Sequence, residues 1–401
     1  MQTMKEYSKN SSSQGLFIWY QAIFLSTLFF LNFLGRIILS PLMPWIEQDL
    51  AISHAQAGSL FFMLSCGYFI SMIGSGHISS RIGHKMTISL SSVLCGSTLV
   101  LLSMVGELWE LRIVMGLAGL AAGIYLPSAI ATLTKTVAKE HWGKVIAIHE
   151  LAPNMAFLAA PLLASLFVPI YGWKSLLFGL GISSILFGAS YYFLSAQDKS
   201  YGQAPLFSSV APLFKNVVFW IMVLLFSMGI TGTLGIYNML PLFMVSEHNF
   251  SPEKANSILA MSRIATLFFA LLGGAAADRF GPARTISAVL LITGFITFVL
   301  GIINKQLLPV VVFMQPVLAV AFFPAAFSML SGLMPPNARN ITISFTVPLA
   351  FVIGGGAIPA LIGIMGDHGH LGAGISLAGL FIMSGGVISF LFLTKKQEPT
   401  K

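Results

Sequence analysis

Apolar runs of about twenty residues recur along the whole chain, and nothing else in the sequence constrains the fold as strongly. They cover approximately residues 17–44, 55–78, 86–105, 109–133, 145–168, 174–194, 217–245, 255–276, 285–303, 307–333, 341–365 and 371–393. About twenty apolar residues in a helix cross the hydrocarbon core of a bilayer. The pattern therefore predicts an all-α integral membrane protein with twelve transmembrane helices. Composition agrees: 8% of the 401 residues are charged, against roughly 25% in a soluble domain. Glycine and proline inside the runs are compatible with this, because neighbouring membrane helices re-satisfy the backbone. Cys66 and Cys95 fall in apolar runs without framework spacing and are expected to be small buried core residues.

Three arginines, Arg36, Arg112 and Arg263, interrupt the runs, and Glu150 is the one acid set against them. An ionisable group at the centre of a bilayer costs roughly 2.5–3.5 kcal/mol or more, so it faces a partner or a watery cavity. An excess of fixed positive charge there points to an anion pathway. Of the other basic residues, all but Lys174, Lys254 and Lys305 lie in the two tails or the even-numbered loops. The positive-inside rule then places both termini in the cytoplasm and requires an even number of helices. The net charge of +8 is thereby accounted for by topology and lipid headgroups. No aromatic-interleaved basic patch suggests nucleic acid. No phosphate-cradling loop, metal-ligand cluster or nucleophile triad suggests an enzyme, a cofactor or an ATP-driven pump.

The chain repeats itself at half its length. Gly76, Arg81 and Gly83, after the second run, align with Gly274, Arg279 and Gly281, after the eighth, at an offset of 198. Leu42-Met43-Pro44 is echoed by Met239-Leu240-Pro241, and Ser53 by Ser251. Two six-helix halves of like orientation make a parallel-repeat transporter architecture. The expected division is a cytoplasmic tail at 1–15, a first bundle at 16–194, a linker at 195–216, a second bundle at 217–394 and a tail at 395–401.

The loop after each second helix resembles the signature G-x-x-x-D-(R/K)-x-G-x-(R/K) of the major facilitator superfamily. It is intact at Gly274, Asp278, Arg279, Gly281 and Arg284, and altered in the first half, where Ser80 and His84 replace the aspartate and the basic residue. Arg112 with Gly116, and then Gly119 and Gly123, resembles the fourth-helix motif of the same superfamily. The resemblance covers the whole chain. It implies twelve helices in two pseudo-symmetric bundles, alternating access and a multi-pass plasma membrane location, in a bacterium the inner membrane. It also implies a monomer, with no nucleic-acid partner and no cofactor. Gly76, Arg81, Gly83, Arg112, Gly274, Asp278, Arg279, Gly281 and Arg284 become structural or gating residues.

Gly35-Arg36 to Pro44, with Asp49-Leu50 and Gly67-Tyr68, resembles the organic-anion branches, the anion:cation symporters and organophosphate exchangers. There a helix-one arginine holds the carboxylate or phosphate, and arginine suits this as a permanent, planar, fork-shaped cation. Arg263 lies in the opposite half, so one arginine per half is expected to clamp a small anion, with Tyr237, Asn238 and Tyr68 completing the site. The structural alternative for Arg36 is pairing with carbonyls or Glu150. Symporters of the sugar-acid group carry a helix-four glutamate where this chain has Gly119, so Glu150, with His149 beside it, is the expected proton carrier. A carboxylate alternating between apolar and cationic surroundings takes up and releases a proton. Tyr125 and Asn154 are further polar tips in apolar runs, and Gly354-Gly355-Gly356 is expected to allow bending or close packing.

The expected function is secondary active transport of a small anion with protons. Proton-driven drug efflux is the rival within the same fold, weakened because Ala156 to Pro161 has alanines where efflux carriers place glycines. A non-transporting sensor or scaffold is the remaining alternative. Ser80 cannot act as the missing anion, so the latch of the first half is expected to be weak. Spin-label distances across the terminal end in Ser80→Asp should shift toward the closed population there. Distributions equal to the parent's would rule the weak latch out.

Overall fold

The computed structural model describes residues 2–137, 141–195, 200–203, 212–333 and 339–393. Within these, the side chains of residues 2–18, 136, 267, 268, 270, 271, 339 and 340 are not described. Parts of the expected linker, including Asp198, Lys199, Pro205 and Ser208, lie outside the described residues, as does the tail at 395–401 and the side chains of the tail at 1–15. The described residues form helices joined by short turns and loops, without strands. Nine stretches among them are long and apolar enough to cross a membrane. Two of these, His54–Leu102 and Trp142–Leu194, each contain one glycine of non-helical backbone, Gly83 and Gly172, and so make two crossings each. Pro252–Ile264 and Thr266–Phe280 together supply one more. The twelve expected helices are therefore present.

In chain order they are α1 (Trp19–Leu50, its backbone helical from Gln2), α2 (54–82), α3 (84–102), α4 (Leu108–Lys135), α5 (142–171) and α6 (173–194). The second half comprises α7 (Val217–Ser246), α8 (252–280), α9 (Pro282–Leu300), α10 (Leu308–Leu333), α11 (Ile341–Gly366) and α12 (Leu371–Leu393). Helix α1 runs six residues past its expected end. Pro41 and Pro44 sit inside it, and the helix is interrupted at Ile38, because a proline withholds the N–H that would bond the carbonyl four residues back.

The sequence echoes have structural causes. Ser53 and Ser251 are the N-caps of α2 and α8, each accepting a backbone N–H at the third helical position, from Gln56 and Lys254. The second motif glycines turn the chain between paired helices at positive φ, 79° at Gly83 and 86° at Gly281, where a side chain would be strained. Pro161 and Pro359 repeat at the same offset. Ser40 and Tyr237, separated by the same 197 residues as Pro44 and Pro241, meet each other: Ser40 Oγ donates to the Tyr237 carbonyl at 2.7 Å. The two halves thus touch along their common axis.

Described residues of the linker dock on the first motif loop. Gly202 N donates to the Ser79 carbonyl (3.1 Å) and His84 N to the Ser200 carbonyl (3.0 Å). Ser80 donates to His77 O of its own helix.

Small residues bring α2 and α4 to backbone contact. A Cβ on Gly67 would collide with the Gly116 carbonyl, and one on Gly119 with the carbonyl of Leu64 and the amide of Tyr68. Such packing is how membrane helices approach closely. Position 119, where the sugar-acid relatives are expected to carry glutamate, has no room for any side chain. Of the two cysteines, Cys95 is buried and accepts from Asn32, whereas Cys66 is only half-buried, a correction to its expected burial. Overpacking of this kind costs ~1–3 kcal/mol, so Gly119→Ala should lower the melting temperature of the detergent-solubilised protein by several degrees. An unchanged melting temperature would mean that the α2–α4 contact is not tight.

Candidate functional site

Arg36 is 6% exposed and lies among rings. Its Cζ sits 4.0 Å from the Tyr68 centroid, 5.0 Å from Phe33 and 5.1 Å from Phe351. Tyr68 is held there by the α2–α4 packing. Phe351 immediately precedes a π-helical turn of α11, Val352–Ala357, which offsets the helix and sets the direction of the residues flanking it. Arg263, in the other half, is 4% exposed and lies over Tyr237 (4.7 Å) and Phe157 (4.9 Å). Each arginine therefore takes rings from both halves: Arg36 from α1, α2 and α11, and Arg263 from α7 and α5. Phe33 meets Phe157 edge-on at 5.2 Å, and Phe157 meets Tyr237 at 4.8 Å. The two cations are joined by a continuous series of rings.

Cation–π contact is worth ~2 kcal/mol or more when desolvated, so the rings offset part of the cost of burying two charges. They do not meet every guanidinium N–H. The Nε atoms of Arg36 and Arg263 are buried without hydrogen-bond partners, as are Tyr237 Oη, Asn238 Oδ1 and Asn256 Oδ1. Among the described residues no carboxylate pairs with either arginine, so the alternative pairing of Arg36 with Glu150 is not realised. Asn238 Nδ2 donates to the Gly355 carbonyl (3.2 Å) in the α11 π turn, and Asn256 Nδ2 to the Pro41 carbonyl (3.0 Å). A second π turn, Thr231–Gly235, lies in α7 against the first. Here Gly354 to Gly356 serve close packing, as expected.

Glu150 departs from its expected surroundings. Its side chain is 51% exposed and its one ion-pair partner among the described residues is His149, Nδ1 to Oε1 at 3.4 Å. It neutralises no arginine. Asn154 bonds back to the Glu150 carbonyl of its own helix. His149 is fully buried, stacked on Phe29 at 4.4 Å and near Tyr125 at 6.0 Å. Tyr125 Oη lies 2.6 Å from the Leu25 carbonyl, which can only accept, so the phenol donates its proton there. Toward His149 Nε2, 3.4 Å away, the phenol oxygen is left as an acceptor, and the imidazole carries hydrogen on Nε2. His149 Nδ1 faces Glu150 Oε1 on the other side of the ring.

Arg112 is not deep. Helix α4 starts at Leu108, so this residue lies near the first turn, half-buried, with Nε donating to Ser59 Oγ at 3.1 Å. It braces α4 on α2. A surface groove of about 420 Å³ lies between α1 and α6, lined by Tyr20, Phe24, Phe187 and Leu194 among others. Its lining carries no charge, so it offers an anion nothing.

The end of the bundle bearing the 1–2 and 11–12 loops is sealed between halves. Asp367 accepts from Ser53 Oγ (2.7 Å) and Ala55 N (3.1 Å) at the start of α2, and His54 packs backbone-close on Gly363. At the opposite end, Asp278 and Arg284 are exposed and Arg279 lies over Phe280 of its own helix (5.2 Å). No ion pair between the halves forms there among the described residues. Of the residues sequence reasoning selected, the fold sets Tyr68 against Arg36 and Tyr237 against Arg263, while Asn238 bonds to the Gly355 carbonyl of α11. That reasoning missed Phe33, Phe157, Phe351, Ser40 and Asn256; the 197-residue offset could have revealed Ser40 as the mate of Tyr237.

Twelve crossings in two like halves around a buried central cluster define a membrane carrier, not an enzyme. The sequence profile of the Major Facilitator Superfamily matches residues 25–265 and again 235–401, and the chain belongs to that superfamily. A cis,cis-muconate transport protein of Acinetobacter baylyi is 23% identical over 422 residues, with 98% of each chain covered. A 4-hydroxybenzoate transporter of the same organism is 22% identical over 370 residues, covering 79% of this chain and 80% of its own. The crystal structure of a bacterial homologue of the human lysosomal transporter Spinster, inward-facing and occupied, superposes with a TM-score of 0.81. It is 16% identical, with 95% of this chain and 98% of that one covered, and shares the fold.

The Asp367 contact yields a test. Asp367→Ala removes two bonds that hold the halves together at the sealed end. Spin-label distances between the 1–2 and 11–12 loops should gain a longer, open population. An unaltered distance distribution would show that backbone packing alone holds the seal.

Proposed function

We propose that the protein transports a small organic anion together with a proton, by rocking of the two halves about the Arg36–Arg263 cluster. One observation carries this reading: two guanidiniums, one from each half, are buried against aromatic rings with no carboxylate among the described residues to neutralise them. A buried cation is tolerable where its function is to meet an anion, and a bidentate oxyanion fits the free edge of a stacked guanidinium. The named relatives carry muconate and 4-hydroxybenzoate, both carboxylates, which supports a carboxylate as the anion here. A lipophilic cation would meet unfavourable charge in this cluster, which counts against cationic drug efflux.

His149 and Glu150 are the proton site in this reading, one shared proton per cycle. Tyr237, Asn238 and Tyr68 complete the anion site. The 195–216 stretch links the bundles, and the protein acts as a monomer in a bacterial inner membrane. With both termini cytoplasmic by the charge rule, the sealed end faces outward.

The experiment is uptake of labelled benzoate and cis,cis-muconate into proteoliposomes under an imposed proton gradient. A hydrogen bond to a charged group is worth ~1.5–3 kcal/mol. Arg36→Gln and Arg263→Gln should therefore each lower kcat/KM about tenfold to a hundredfold, whereas Glu150→Gln should retain exchange and lose uphill accumulation. Unchanged apparent affinity in both arginine variants would remove the anion assignment. Uphill transport surviving Glu150→Gln would remove the proton assignment.

A further inference from the structure

The rings around the two arginines are not equivalent. Phe33, Tyr68 and Tyr237 are buried. Phe157 and Phe351 are half-buried, although they touch guanidiniums that are 4% and 6% exposed. These two are also the rings that each half lends to the other half's arginine: Phe157 of α5 to Arg263, and Phe351 of α11 to Arg36.

We propose that Phe157 and Phe351 are the specificity-determining residues of this site, platforms that select an anion whose carbon frame is planar and conjugated with its carboxylate. The proposal rests on the transport reading given above. A carboxylate gripped by both prongs of a guanidinium lies in the guanidinium plane. In a conjugated acid the carbon frame shares the carboxylate plane, so it offers a flat face to the ring beside the guanidinium, Phe157 at 4.9 Å from Arg263 and Phe351 at 5.1 Å from Arg36. A saturated chain leaves that plane at its first tetrahedral carbon and loses the ring. Phe157 is well fixed for this role: Phe33 and Tyr237 abut it edge-on, with interplanar angles of 66° and 78°, and Arg263 covers it. Phe351 is braced by Tyr68, with centroids 5.3 Å apart, and is positioned at the start of the π turn. Because each platform belongs to the half opposite its arginine, a stacked substrate touches both halves.

The test compares matched pairs of acids with the full chain in proteoliposomes: benzoate against cyclohexanecarboxylate, and cis,cis-muconate against adipate. In the unsubstituted protein the planar member of each pair should have the higher kcat/KM. Phe157→Leu and Phe351→Leu keep apolar volume and remove the flat face. Each should cut the planar-to-saturated ratio roughly two- to tenfold, the worth of one aromatic stack. Phe157→Tyr and Phe351→Tyr should preserve the ratio and show that the folded site tolerates substitution. Equal losses for both members of a pair, or a ratio near one in the unsubstituted protein, would overturn the proposal. Absence of uptake of all four acids by the unsubstituted protein would overturn the transport reading itself.

Discussion

The interaction on which the rest of this structure depends is the cation–π contact of two guanidiniums with aromatic rings inside a bundle of apolar helices. Arginine keeps its charge at any working pH, so the fold has to supply a favourable surrounding. It does so with faces of π density in place of carboxylates. Several otherwise unrelated features serve that arrangement. The glycines of α2 and α4 let Tyr68 approach Arg36, the π turn of α11 sets Phe351 beside it, and Phe157 of α5 crosses to Arg263. Because each cation draws rings from both halves, any rocking of one half on the other changes the surroundings of both charges.

The two ends of the bundle use different physics. At the sealed end, backbone meets backbone at glycines, and the carboxylate of Asp367 accepts at the N-terminus of α2, where the exposed N–H groups favour an anion. At the other end the motif residues that remain, Asp278, Arg279 and Arg284, make no inter-half pair among the described residues. In the first half, Ser80 turns back on its own helix and the linker covers the motif loop instead. The bundle is thus held by packing and two hydrogen bonds between the halves at one end, while at the other the motif charges form no ion pair between the halves among the described residues.

Much of this was legible in the sequence. Twelve runs, the charge alternation and the half-length repeat specify the architecture, because bilayer thickness and loop charge leave few alternatives. The arginines were legible as a site because a charge in an apolar run is conspicuous. Their ring partners were not, since any of 33 phenylalanines in membrane helices reads equally well as lipid-facing or core. Glu150 was misplaced for a related reason: depth along a helix can be counted from the sequence, but which neighbour a side chain faces depends on how the helices pack. The triple glycine was correctly associated with close packing, yet the π turn it lies in, packed against α7, leaves no mark in local sequence.

Separation of the acid from the arginines constrains any coupling between proton and anion. A carboxylate bonded to a substrate arginine could exchange directly with the anion. Here Glu150 pairs with His149, and the arginines lie elsewhere. What connects them is aromatic: His149 stacks on Phe29, Phe29 meets Phe33 edge-on at 6.2 Å, and Phe33 reaches both Arg36 and Phe157. Close-packed rings shift as a set, because interiors leave few voids for one to move alone. Under the proposed function, a proton arriving at His149 would change the electrostatics of the Phe29 stack and bias the ring positions around Arg36. Coupling would then pass through packing, with no competition between proton and substrate for one charge. A substrate stacked on the platforms at the far end of the same series of rings would bias it in return, as the reciprocity of linked equilibria requires.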